Sequence, residues 1–98
     1  QLLEENFQTL HIVFGVVNDK DLKSILPLFP KNAIYYFCKP NIPRGLNETI
    51  LQQQCKPYHL FGNSYTSVFE ALKSAKQNAY KNDVIFVGGS TFVVAEVV

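Results

Sequence analysis

Tryptophan and methionine are absent from this sequence, cysteine occurs twice, and charged residues make up only 17% of its 98 positions, with a formal net charge of +1. So sparse and balanced a charge excludes a polyelectrolyte tail and a surface built to hold the phosphate backbone of nucleic acids. Long apolar runs are missing as well. His11 to Val17 and Phe92 to Val98 are short and broken by Gly or Glu, so neither reads as a membrane-spanning helix. No charged leader precedes an apolar core, and a secretory signal is not expected. Cys38 and Cys55 form no CxxC pair and have no clustered histidines beside them, which argues against a metal site or a disulfide framework. Buried reduced thiols in a cytoplasmic setting are the expectation, and there the Asn47-Glu48-Thr49 sequon would stay unmodified. Neither GxGxxG nor GxxxxGK(S/T) occurs, and no nucleophile elbow or paired catalytic carboxylates appear, so no bond-forming step is expected of this chain unaided. A chain that opens on Gln1 and lacks methionine is expected to be one part of a longer polypeptide.

What is present is alternation. Apolar residues are 47% of the chain, enough for one compact domain. His11 to Val17 is apolar at nearly every position, as a parallel strand covered on both faces should be. Asn18-Asp19 then opens a helical segment with Leu22, Ile25, Leu26 and Phe29 at spacings of three and four, which Pro27 ends or kinks and Pro30 stops. Ala33 to Cys38 reads as a second strand, followed by a stiff loop from Lys39 to Gly45 carrying Pro40 and Pro43. Asn47 caps a short helix through Gln54. Tyr58 to Phe61 reads as a third strand stopped by Gly62, and Ser67 with Glu70 forms a capping box for a helix whose stripe is Val68, Ala71, Leu72, Ala75 and Ala79. Val84 to Val87 reads as a fourth buried strand, Gly88 to Thr91 as a turn, and Phe92 to Val97 as a last helix. Gln1 to Phe7 is a further helix candidate, which in such a pattern follows a strand lying upstream. Strands alternating with helices over short connections predict a Rossmann-like, three-layer α/β domain with a mostly parallel sheet.

In such sheets ligands bind outside the carboxyl ends of the strands, so the post-strand loops are the candidates. Lys20 lies between Asp19 and Asp21. Either an acid caps the helix and Lys20 is solvated, or Lys20 reaches a phosphate or carboxylate while Asp21 orients it or meets a ribose hydroxyl. Arg44 on its stiff loop either grips an anion in bidentate fashion or pairs with a surface acid. Gly88-Gly89-Ser90 either permits close approach of a ligand, with Ser90 donating to it, or is a plain turn with a helix cap. Gly62-Asn63-Ser64 completes the set of loops. His11 and His59 fall in expected strands and read as structural or rim histidines. Tyr35-Tyr36-Phe37 reads as sheet core, because no basic residues interleave it as a base-stacking platform would require.

At these loops the sequence resembles the C-terminal domain of the Mur ligase superfamily, and more closely its folylpolyglutamate synthase/dihydrofolate synthase branch. The matching stretches are Val13-Phe14-Gly15 with Lys20-Asp21, Ile42-Pro43-Arg44-Gly45-Leu46, the Glu70-Ala71-Leu72 and Ala75 helix, and Asp83 through Glu96. The resemblance implies an ATP-dependent ligase that activates a pterin-type carboxylate as an acyl phosphate for attack by the amino group of glutamate. It implies Lys20 and Asp21 on the nucleotide side of an interdomain cleft, Arg44 at the cleft, and Ser90 near the incoming glutamate. ATP and Mg2+ would be bound mainly by an N-terminal ATPase domain of the same polypeptide, with residues 1–98 forming the single C-terminal domain. Folate or dihydropteroate would be the acceptor, and a monomer is expected. Gly45 stands where the family more often has Ala, and the family's Asp-Gly-Ala-His-Asn-Pro stretch would fall just before Gln1.

Two other readings compete. A non-catalytic α/β ligand-binding or regulatory module shares the fold, although its phosphoacceptor version wants an acid where Cys38 runs into Lys39. A cell-wall Mur-type amino-acid ligase shares the superfamily but fits the short first loop and the Pro-Arg segment less well.

Overall fold

The computed structural model describes residues 9–18 and 21–88. Four strands, β1 (Leu10–Phe14), β2 (Ala33–Cys38), β3 (Gly62–Tyr65) and β4 (Val84–Gly88), form one all-parallel sheet in the order β3-β2-β1-β4. Three helices connect them: α1 (Leu22–Ile25), α2 (Glu48–Cys55) and α3 (Val68–Asn78). The α/β fold expected from the alternation of strand and helix patterns is the fold observed.

The side-chain period of two in β1 and β2 sorts the core into two layers. Ile12, Phe14, Tyr35 and Phe37 face Leu22 and Leu26 at α1 and Leu51 and Cys55 of α2. Val13, Tyr36 and Cys38 face Val68, Ala71 and Ala75 of α3 on the opposite side. The alanines leave room for α3 to lie close to the sheet. The chain therefore walks from β1 to β3 with its helices on one face, then crosses back with α3 on the other to place β4 beside β1. That reversal of direction lies between β1 and β4, and it defines the crevice where open parallel sheets receive ligands.

Local chemistry fixes several boundaries. Pro27 converts the end of the first helix into a 3₁₀ turn over Leu26–Leu28, leaving α1 a single α-helical turn. The Asn47 side chain caps α2 by accepting from the amides of Thr49 and Ile50 at 2.8 and 3.2 Å. The Ser67 hydroxyl caps α3 by accepting from the Glu70 amide at 3.1 Å.

Three expectations are corrected. The third strand is not Tyr58 to Phe61. Lys56–Tyr58 prolongs α2 as a 3₁₀ turn with Pro57 early in it, and His59 closes that turn in the left-handed conformation (φ 63°), so it belongs to no strand. Gly62-Asn63-Ser64 is accordingly strand rather than loop. Gly62 starts β3 because it lies against Tyr35, where an added Cβ would run into the Tyr35 carbonyl. Finally, β4 is covered on one face only by the described residues. Ile85 and Val87 pack on the α3 side, whereas Val84 and Phe86 are 47% and 56% exposed beside Leu10 and Ile12. The helix candidates 1–7 and 92–97 lie outside the described residues.

Candidate functional site

The rim at the carboxyl ends of the strands is built by nonlocal backbone pairing. β1 and β4 end together, with Phe14 paired to Gly88 and the Gly15 amide donating to the Gly88 carbonyl at 3.4 Å. Beyond β2 the chain leaves the sheet at Cys38, runs out through Pro40, and turns back. The Gly45 amide donates to the Ile42 carbonyl at 3.0 Å, a turn with Pro43 in its first central position. The returning limb then lies antiparallel to the segment that follows β1. Val17 pairs with Gly45, the Asn18 amide donates to the Arg44 carbonyl at 2.6 Å, and the Leu46 amide donates to the Val16 carbonyl at 3.0 Å. Buried Val16 and Leu46 anchor the two limbs in the core. Arg44 is thereby carried from the end of β2 to a place beside the post-β1 loop, toward the crevice between β1 and β4.

Of the four residues singled out in the sequence, Asp21 and Arg44 lie among the described residues, and Lys20 and Ser90 lie outside them. Asp21 starts α1, yet its carboxylate accepts from the Ser24 hydroxyl at 2.7 Å rather than from a helix amide. With only one α-helical turn behind it, the macrodipole there is small and adds little to anion binding. Asp21 and Lys23 border a groove of about 490 Å³ that runs between α1 and the end of α2, reaching Gln54, Pro57 and Tyr58. The Arg44 side chain is exposed on the zipped limb.

A second concavity on the rim was not foreseen. About 340 Å³ lies between Lys39, Pro40, Asn41 and Ile42 after β2 and Thr66, Ser67 and Phe69 at the start of α3. Displacing the third strand toward its N-terminus in the sequence reading hid this loop. The capping box held the missing signal: a helix capped by Ser67 requires its preceding loop to end at Thr66.

The strongest polar cluster lies toward the opposite, amino-terminal end of the sheet. His11, 1% exposed, bonds through Nε2 to the Asp83 carboxylate and through Nδ1 to the Tyr36 hydroxyl, each at 2.8 Å. Amides of Tyr80 and Thr9 also donate to Asp83, at 2.9 and 3.1 Å. These contacts, led by the Tyr80 amide, hold the Asp83 carboxyl below the usual carboxylate range, while burial pushes the Tyr36 phenol up. A charged carboxylate can only accept, so Nε2 of His11 donates to Asp83, and Nδ1 shares a hydrogen bond with the Tyr36 hydroxyl. Asn78 Nδ2 donates to Tyr36 at 3.4 Å. Every group has a partner and the ring is shielded from solvent, so His11 is a structural clamp joining β1, β2 and the approach to β4. Both cysteines are buried and in no disulfide, and burial pushes the Cys55 thiol up to about 12. Among the described residues no group of three or more His, Cys, Asp or Glu is placed to hold a metal ion, and no helix is long and apolar enough to cross a membrane.

No family model matches the chain. The probable bifunctional folylpolyglutamate synthase/dihydropteroate synthase of Haloferax volcanii is 33% identical over 96 residues, which cover 95% of this chain and 11% of that protein. E. coli FolC in complex with DHPP and ADP superposes with a TM-score of 0.77 at 27% identity, over 93% of this chain and 21% of that one. The bifunctional folylpolyglutamate synthase/dihydrofolate synthase of Yersinia pestis, complexed with AMPPNP and Mn ion, gives 0.76 at 26% identity over 98% and 23%. A structure of such an enzyme with Mn, AMPPNP and L-glutamate bound gives the same values. The chain thus spans about a tenth of the curated relative's length and about a fifth of the solved structures'.

Proposed function

Because this chain belongs to the folylpolyglutamate synthase/dihydrofolate synthase branch of the Mur ligase superfamily, we propose that it is the C-terminal, glutamate-side domain of a cytoplasmic ATP-dependent ligase that joins L-glutamate to a folate or dihydropteroate carboxylate. The observation that carries this reading is the rim, where the loop bearing Arg44 is zipped to the segment leading to Lys20 and Asp21, beside the end of β4.

In the proposed reaction the acceptor carboxylate takes the γ-phosphoryl group of ATP, giving an acyl phosphate and ADP. The amino nitrogen of glutamate attacks the acyl carbon, and an amide forms as phosphate leaves and the amine loses a proton. Such chemistry depends on placing reactants and compensating charge, so a cationic rim closing over a companion ATPase domain suits it. Lys20 offsets phosphate charge, Asp21 orients the nucleotide, Arg44 faces the cleft, and Ser90 meets the incoming glutamate. The Mg2+ that accompanies ATP belongs to the companion domain, which also supplies the phosphate loop that this sequence lacks.

Replacing Lys20 by Ala in the enzyme that carries this chain tests the assignment. Loss of a charge-assisted contact lowers glutamate-dependent kcat/KM by about 2 kcal/mol of transition-state free energy, roughly 30-fold. Unchanged kinetics would remove Lys20 from the site.

A further inference from the structure

Gly45 emerges from the geometry as more than a loop residue. An ideal Cβ built on it would stand 2.5 Å from the Pro40 carbonyl oxygen, 3.2 Å from that of Ile42 and 3.2 Å from Lys39 Cγ. The nearest of these is backbone, and it cannot swing away freely. The Pro40 carbonyl accepts from the Ile42 amide at 2.8 Å, and Pro40 itself is buried. Any side chain at position 45 must therefore separate the outgoing limb of the post-β2 loop from the returning one. The returning limb is the one paired with Val16, Val17 and Asn18.

We propose that Gly45 is a positioning residue: by letting the post-β2 loop fold back flat on itself, it latches that loop to the post-β1 segment. Arg44 and the segment Val16–Asn18 are then held as one body. This rests on the reading of the rim as the ligand side of a ligase, and it adds what holds that rim in shape. The physical advantage is preorganisation. Arg44 is bonded through its carbonyl to Asn18, so a ligand touching Arg44 and the post-β1 segment need not restrain two independent segments. An alanine at this position would have to open the loop here.

The test uses the whole ligase that carries this chain, comparing wild type, Gly45→Ala, Arg44→Ala and the double variant, with Asn18→Pro as an independent way to delete the 2.6 Å latch bond. In Gly45→Ala, the amides of Asn18 and Leu46 exchange with solvent at least about 10-fold faster while those of β1 and β2 keep their protection. The KM for ATP rises by about 10-fold with kcat little changed, the pattern of lost binding preorganisation. Asn18→Pro, which has no amide N–H at position 18, speeds exchange at Leu46 and raises the KM for ATP likewise. Because Gly45 acts through Arg44, the double variant falls no lower than Arg44→Ala alone. Unaltered exchange at Asn18 and Leu46, unaltered KM despite faster exchange, or simple addition of the two losses would each overturn the proposal. A wild-type enzyme showing no glutamate-dependent ATP turnover would sink the ligase reading instead, and the exchange measurement would still judge the latch.

Discussion

Replacing Tyr36 by Phe isolates the polar clamp from the packing around it. The ring sits in the α3-side core beside Val13, Cys38 and Ala71, and Phe keeps that volume while deleting one oxygen. That oxygen shares a 2.8 Å hydrogen bond with His11 Nδ1 and accepts from Asn78 at 3.4 Å. The second contact is near the geometric limit and contributes little. Losing the first leaves a buried ring nitrogen of His11 unpaired. A buried acceptor without its donor costs about 1–3 kcal/mol, and the middle of that range, about 2 kcal/mol, fits a bond of this length in a fully shielded site. For a domain of this size each kcal/mol shifts the midpoint by about 4–8 °C, so Tm falls by roughly 8–16 °C. Circular dichroism melts at neutral pH read this directly, with a urea series expected to show a lower midpoint at unchanged slope. A Tm within about 2 °C of wild type would mean that the phenol does not serve His11.

Acid should weaken the same clamp. Asp83 titrates below the ordinary carboxylate range in the fold, led by the Tyr80 amide with His11 second, so its contribution is present above that range and is lost as pH falls through the depressed value. Tm followed from pH 6 downward should drop at the acid end in wild type, and Asp83→Asn should lack that limb; parallel curves would refute the linkage. Gly62→Ala drives a methyl group into the Tyr35 carbonyl within the β2–β3 ladder and should destabilise by about 1–3 kcal/mol, read in the same melts; a neutral outcome would show that β3 can shift without cost. The two buried thiols, Cys55 with its pKa near 12, should resist a disulfide reagent at pH 8 until the protein is denatured, and rapid stoichiometric labelling of the native state would contradict their burial.

Features encoded over a few adjacent residues were legible in the sequence. Asn47 and Ser67 mark helix starts because a capping side chain bonds within its own turn. Pro27 shortens the first helix for an equally local reason. The third strand was misplaced because nothing in Gly62-Asn63-Ser64-Tyr65 favours a strand intrinsically. It is extended because it pairs with Tyr35 to Cys38, and Gly62 alone lets it come close enough. The half-open state of β4 was equally hidden, since Val84-Ile85-Phe86-Val87 reads the same whether one face or both are covered. At the rim, the stiffness of the Arg44 loop could be read from Pro40 and Pro43. Its return to Asn18 depends on pairing between Val17 and Gly45, residues far apart in sequence. The His11 clamp escaped for the same reason, because Tyr36 and Asp83 join it only once the sheet is assembled.

Glutamate ligation driven by ATP is the function we propose for this rim. Release of ADP by the wild-type enzyme, measured with folate or dihydropteroate present and glutamate added or withheld, addresses it most directly. Sustained turnover is expected only when the acceptor, ATP and glutamate are all supplied, with one ADP released for each glutamate joined. ADP release indifferent to glutamate, or none under any combination, would contradict it.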